Sequence, residues 1–121
     1  MISVLVVDDH ALVRRTLQAV LESEPILTIV GEAADGLEAI RMAEAVHPHV
    51  VLMDLYMPRM DGIESTRQIH RHLPETCIIG MSSESGAWVK KAFLSAGARA
   101  FLPKELVPGH LVEVIQKECS L

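Results

Sequence analysis

The chain has 121 residues, half of them hydrophobic and only 3% aromatic, with a formal net charge of −5. That length suits one domain with a single core, which has to be aliphatic and alanine-rich. The acidic balance excludes a chain that is itself a general nucleic-acid or membrane-surface binder, and no apolar run approaches the ~20 residues needed to span a bilayer. The N-terminus opens directly into an apolar strand pattern without a basic leader, so no signal peptide is expected. Cys77 and Cys119 lack CxxC spacing. The expectation is two buried or incidental thiols in a reducing cytoplasm rather than a disulfide.

Five apolar runs alternate with five helical patterns. The first strand is Ile2 to Val7. Ala11 to Glu24 follows as a helix, with Val13, Leu17, Val20 and Leu21 on one face, and Pro25 stops it. Ile26 to Val30 is β-branched and reads as the second strand. Gly31 to Gly36 turns the chain, and Asp35-Gly36 opens the second helix, whose apolar face is Leu37, Ile40 and Ala43 or Ala45. Val50-Val51-Leu52-Met53 runs unbroken into Asp54, the habit of a strand buried on both faces of a parallel sheet. Asp61 caps the third helix, with Glu64 in a capping-box position and Ile63, Ile69 and Leu73 facing inward. Cys77 to Met81 is the fourth strand. Gly86 to Ala96 is the fourth helix, turned inward on Val89, Ala92, Phe93 and Ala96. Ala98 to Leu102 makes a short fifth strand, and Leu106 to Glu118 the last helix. Five such units point to a doubly wound α/β sandwich, with helices on both faces of a five-stranded parallel sheet; a barrel would need eight.

The strands end on Asp8 and Asp9, Asp54, Ser82 and Ser83, and Lys104. In a parallel sheet these residues gather around one crevice at the carboxyl edge, where open α/β sheets keep their sites. Three clustered carboxylates repel one another unless a cation neutralises them, and hard oxygen donors favour Mg²⁺ completed by a phosphate. No GxGxxG follows Val7 and no GxxxxGK[ST] occurs, so the usual nucleotide cradles are missing. An aspartate that itself accepts a phosphoryl group is the simplest reading.

Val6-Val7-Asp8-Asp9, the run Asp54-Leu55-Tyr56-Met57-Pro58-Arg59-Met60-Asp61-Gly62, Ser82, Ala96-Gly97-Ala98 and Phe101-Leu102-Pro103-Lys104 together resemble the receiver domain of two-component response regulators. The likeness spans essentially the whole chain. Asp8-Asp9-His10 and Gly31-Glu32-Ala33 are most similar to receivers of LuxR/FixJ-type regulators. The resemblance implies a flavodoxin-like (βα)5 fold in strand order 2-1-3-4-5, one receiver domain over 1–121, and a cytoplasmic location. It implies that Asp54 takes the phosphoryl group from a sensor histidine kinase or phosphotransfer protein. Mg²⁺ would be held by Asp9, Asp54 and the backbone carbonyl of Tyr56, with Asp8 acting through water. Ser82 would bond a phosphoryl oxygen, and Lys104 would pair with the phosphoryl group or, before transfer, with Asp54. Phe101 stands at the aromatic switch position, often Tyr in the family. Ser82 drawn inward would let its ring turn and remodel the helix 4–strand 5–helix 5 surface. Tyr56 and Glu84 would tune dephosphorylation.

The resemblance further implies a phosphoacceptor rather than an enzyme, capable at most of autocatalytic phosphotransfer and self-dephosphorylation. DNA would be reached only through a C-terminal helix-turn-helix domain that this chain does not contain, so a fragment of a longer regulator is expected over a stand-alone receiver. A homodimer is an open alternative. A Mg²⁺-dependent aspartyl-phosphate phosphatase is the competing enzyme reading, but it wants a carboxylate two residues after the nucleophile, where Tyr56 stands. Taken singly, Asp8 or Asp9 reads as a helix cap and Lys104 as a solvated lysine; it is their shared edge that changes the reading. Trp88 reads equally as core or as a partner contact. His47, His49, His70 and His72 have no spacing that would put two imidazoles on one face, and solvated histidines are expected.

Overall fold

The computed structural model describes residues 1–84 and 86–119. In chain order they form β1 (Ile2–Val7), α1 (Ala11–Glu22), β2 (Leu27–Ala33), α2 (Gly36–Val46), β3 (Val50–Asp54), α3 (Gly62–His72), β4 (Cys77–Ser82), α4 (Ala87–Ala96), β5 (Ala100–Pro103) and α5 (Val107–Glu118), with a 3-10 turn at Lys104–Leu106. The strands make one parallel sheet in the order β2-β1-β3-β4-β5. The expected doubly wound fold is the observed one.

Side-chain parity divides the core. Val4, Val6, Val50, Leu52, Ile79 and Met81 pack under α1 and α5 with Leu17, Leu21, Leu111 and Ile115. Leu5, Val7, Val51, Met53 and Ile78 face the other way, under Ala39, Ala43, Ile69, Val89 and Phe93 of α2, α3 and α4. β3 and β4 are buried along their whole length. That is why they read as continuous apolar runs while the edge strand β2 does not.

Three expectations are corrected. β2 continues through Gly31, Glu32 and Ala33, which pair with Leu5, Val6 and Val7 after a register shift that skips Val30. The turn signal at Gly31 therefore lies inside an edge strand, where a glycine accompanies an irregularity in the ladder. α2 turns Ala39 inward beside the expected Ala43 and leaves Leu37 exposed, because small side chains let the helix sit close to the sheet. The cysteines are not free thiols: Cys77 and Cys119 are bonded, with their Cα atoms 5.6 Å apart. The fold brings the start of β4 against the end of α5, and that spacing lies in the normal disulfide range. Trp88, at 51% exposed, belongs to the surface and not to the core.

Candidate functional site

The register lines up the carboxyl edge. Val7 pairs with Met53, Asp54 with Met81, and Ser82 with Pro103. Asp8 and Lys104, each one residue beyond its strand pairing, therefore flank Asp54. The loop leaving β3 is held close: Gly62 N donates to Leu55 O at 2.7 Å, and a Cβ on Gly62 would stand 1.8 Å from the carbonyl oxygen of Asp54. Only glycine lets α3 begin so near that backbone. Asp61 then caps α3 by accepting from Glu64 N at 2.9 Å. Glu64 turns instead to Arg67 and Gln68, so only half of the expected capping box forms.

Lys104 is the hub. Its Nζ lies 2.8 Å from Asp8 Oδ2 and 2.8 Å from Asp54 Oδ1. Burial pushes the Asp54 carboxyl above its ordinary range; the hydrogen bond from Lys104 opposes this, and the neighbouring Asp8 charge adds to the rise. For Lys104, burial works against the charge, but the hydrogen bonds to Asp54 and Asp8 prevail and raise its pKa. Both shifts describe a buried crevice in which one lysine serves two carboxylates.

Beside this bridge, ligand atoms of Asp8, Asp9 and His10 lie within 4.8 Å of one another, the one such trio among the described residues. Asp54 is outside it, engaged by Lys104. Asp8 is fully buried, and Asp9 Oδ1 is a buried oxygen without a hydrogen-bond donor. An orphaned carboxylate oxygen at an acidic edge fits a hard divalent cation such as Mg²⁺.

Ser82 is buried, and its Oγ accepts from Glu84 N at 2.9 Å, leaving the hydroxyl proton free for another acceptor. Tyr56 and Glu84 meet across the mouth, the phenol donating to Glu84 Oε1 at 3.3 Å. Desolvation and then the Glu84 charge hold the Tyr56 phenol above its usual pKa. Phe101 is half-buried against Phe93, with ring centroids 5.8 Å apart. A hollow of about 320 Å³ lies over it, bounded by Glu84, Lys90, Pro103 and Glu105. Sequence reasoning missed His10, which it treated only as part of a family signature; no periodicity marks a loop histidine. A larger cleft, about 600 Å³ lined by His47, His49, His72, Glu75 and Arg99, lies at the opposite end of the sheet and touches none of these groups. No helix among the described residues is long and apolar enough to cross a membrane.

The response regulator receiver domain profile matches residues 4–116. The chain is 41% identical over 116 residues to the transcriptional regulatory protein LiaR of Bacillus subtilis, covering 96% of this chain and 55% of that protein. It is 42% identical over 106 residues to the protein-glutamate methylesterase/protein-glutamine glutaminase 4 of Myxococcus xanthus, covering 87% of this chain and 30% of that protein. Among solved structures, a LuxR-family two-component response regulator from Aurantimonas superposes with a TM-score of 0.92 at 32% identity, covering 98% of this chain and 84% of that one. A chain of the CheX-CheY-BeF3-Mg+2 complex from Borrelia burgdorferi superposes with a TM-score of 0.90 at 28% identity, covering 96% and 87%. The chain thus spans about half, or less, of the length of these curated relatives. The methylesterase likeness corrects the expectation of a non-enzyme: segments of this kind occur within proteins named as enzymes, although the match falls on under a third of that relative.

Proposed function

Because this chain belongs to the response regulator receiver domain family, we propose that residues 1–121 act as one phosphoacceptor domain of a two-component system, with Asp54 as the acceptor. The observation that carries this reading is the Lys104 ammonium 2.8 Å from both Asp54 and Asp8 at the carboxyl edge of the sheet. A carboxylate oxygen of Asp54 attacks the phosphorus of a phosphohistidine on a sensor kinase or phosphotransfer protein. The P–N bond breaks, its electron pair stays on the donor imidazole, and an acyl phosphate remains on Asp54. Lys104 passes from the Asp54 carboxylate to a phosphoryl oxygen, and Ser82 donates its free hydroxyl proton to another. A bound Mg²⁺ supplies charge neutralisation at the phosphoryl oxygens, and Asp9, Asp54 and the Tyr56 carbonyl, with Asp8 behind them, are the residues that would hold it.

Movement of Ser82 toward the phosphoryl group loosens its tie to Glu84 N and changes the walls of the hollow over Phe101. The helix 4–strand 5–helix 5 surface is then the output, read by a partner, by a second copy of the chain, or by a further domain. Likeness to LiaR favours regulation of transcription through a DNA-binding domain, and likeness to the methylesterase makes an enzyme domain the second candidate. Tyr56 and Glu84, joined across the mouth, control water access and so the phosphoryl lifetime. We place the protein in the cytoplasm, where phosphohistidine donors act; there the Cys77–Cys119 pair follows the local thiol poise.

Adding beryllofluoride and Mg²⁺ while recording amide NMR spectra tests the reading. Shifts are expected from Ser82 through α4 and at Phe101 in wild type and not in Asp54→Asn. Equal shifts in both proteins sink it.

A further inference from the structure

Resting on the phosphoacceptor reading, we propose that His10 is a protein ligand of the same metal site and tunes it toward first-row transition-metal dications of the Mn²⁺–Co²⁺–Ni²⁺ class. His10 is the N-cap residue of α1, yet its side chain makes no cap hydrogen bond to the helix. Its backbone N–H instead donates to Asp8 Oδ1 at 2.9 Å, which turns the ring onto the carboxylates. Nδ1 lies 3.0 Å from Asp9 Oδ1 and 3.4 Å from Asp8 Oδ1. Two neighbouring ligands on an octahedral ion, each bound at ~2.1 Å, are roughly 3.0 Å apart, and on a tetrahedral ion roughly 3.4 Å. Both nitrogen–oxygen separations fall within that span.

An imidazole–carboxylate hydrogen bond is the plainer reading, and the geometry speaks against it. Asp9 Oδ1 has no hydrogen-bond donor although the ring nitrogen is only 3.0 Å away. Nitrogen and oxygen sit side by side, as two ligands of a common ion do. Asp8, fully buried and accepting from His10 N, holds the imidazole beside Asp9. An all-oxygen site suits Mg²⁺, whereas an imidazole strengthens binding along the series from Mn²⁺ to Ni²⁺. His10 therefore decides which cation the phosphoacceptor site accepts when several compete.

The test is direct binding. Co²⁺ is titrated into wild type, His10→Ala, His10→Gln and the remote control His47→Ala, by visible absorption and by competition with Mg²⁺, with histidine ring resonances followed by NMR. Wild type and His47→Ala are expected to show a contact-shifted imidazole. In both His10 variants that resonance disappears and the Co²⁺ preference over Mg²⁺ falls at least about 10-fold. His10→Gln keeps the side-chain bulk, and circular dichroism of each variant reports folding. An unchanged Co²⁺/Mg²⁺ preference in the folded His10 variants, or no contact-shifted imidazole in wild type, overturns the proposal. The Asp54→Asn beryllofluoride comparison reads the phosphoacceptor function separately, since both proteins in it keep His10.

Discussion

At the amino ends of the strands, polar groups are tied to one another. Ser3 N donates to His49 Nδ1 at 2.9 Å, His49 N donates to Ser3 Oγ at 3.0 Å, and Thr76 Oγ1 donates to Pro48 O at 3.2 Å. The Cys77–Cys119 bond closes the same end covalently. At the carboxyl ends, Asp8 and Asp54 share one ammonium, and Asp9 Oδ1 has no donor. One end uses its polar groups for cohesion. The other keeps them under-partnered, which weakens the fold locally and leaves the capacity to bind a cation and a phosphoryl group. The larger cleft lies at the cohesive end, so cavity size does not mark the chemistry here.

Opening the amino end should have the largest effect. Reducing the disulfide, or replacing Cys119 by Ser, removes a crosslink across a 42-residue separation and should cost about 3–4 kcal/mol by loop entropy. Urea midpoints with and without reductant measure this, and beryllofluoride uptake should persist under reduction.

At the carboxyl end, Lys104→Met leaves two buried carboxylates without their shared counter-charge. Lys104 keeps 21% of its side chain exposed, so the loss should sit near the lower end of the range for a broken buried pair, about 3 kcal/mol at pH 7. It should shrink as the pH falls and the carboxyls protonate, and shrink when Mg²⁺ is added. Because the folded pKa of Lys104 is raised, its stabilisation is full below about pH 10.4 and is lost as the pH rises through the folded value. Wild type should therefore show an alkaline decline that Lys104→Met lacks.

Smaller effects separate caps from site. Asp35→Ala removes the acceptor for Glu38 N and should cost about 1 kcal/mol in thermal or urea unfolding. The Asp35 pKa is lowered, chiefly by that backbone hydrogen bond. Its contribution is thus present above about pH 3.9 and fades as the pH falls through the folded value. Asp54→Asn should have the opposite sign. The Asp54 carboxyl is raised by burial, so its stabilising effect exists below about pH 3.9 and is lost as the pH rises through the folded value. At pH 7 the variant should unfold at an equal or higher urea concentration than wild type, and the gap should close on acidification. A clearly less stable Asp54→Asn would show that the carboxyl edge is built for cohesion after all.

The central strands were legible because burial on both faces leaves no polar residue in Val4–Val7, Val50–Met53 or Cys77–Met81, and each run stops on its functional side chain or one residue short of it. The edge was less legible. Gly31 carries a turn signal yet pairs with Leu5, since only one side of β2 is constrained by a neighbour. In α2, hydrophobicity favoured Leu37, while closeness to the sheet favoured Ala39. Pairing of Cys77 with Cys119, and the approach of His10 to Asp9, depend on how distant segments or a single rotamer meet in space. No periodicity encodes either. Asp54 and Lys104 could be placed at one edge from strand ends alone, but that Lys104 also reaches Asp8 is a fact of geometry.

The measurement that bears most directly on the account is the location of the phosphoryl group. Wild-type protein incubated with acetyl phosphate and Mg²⁺ is reduced with borohydride, which converts an aspartyl phosphate to homoserine, and is then mapped by peptide mass spectrometry. The account predicts homoserine at position 54 and none in Asp54→Asn. Homoserine at position 8 or 9, or an acid-stable phosphate elsewhere with residue 54 unmodified, would contradict it.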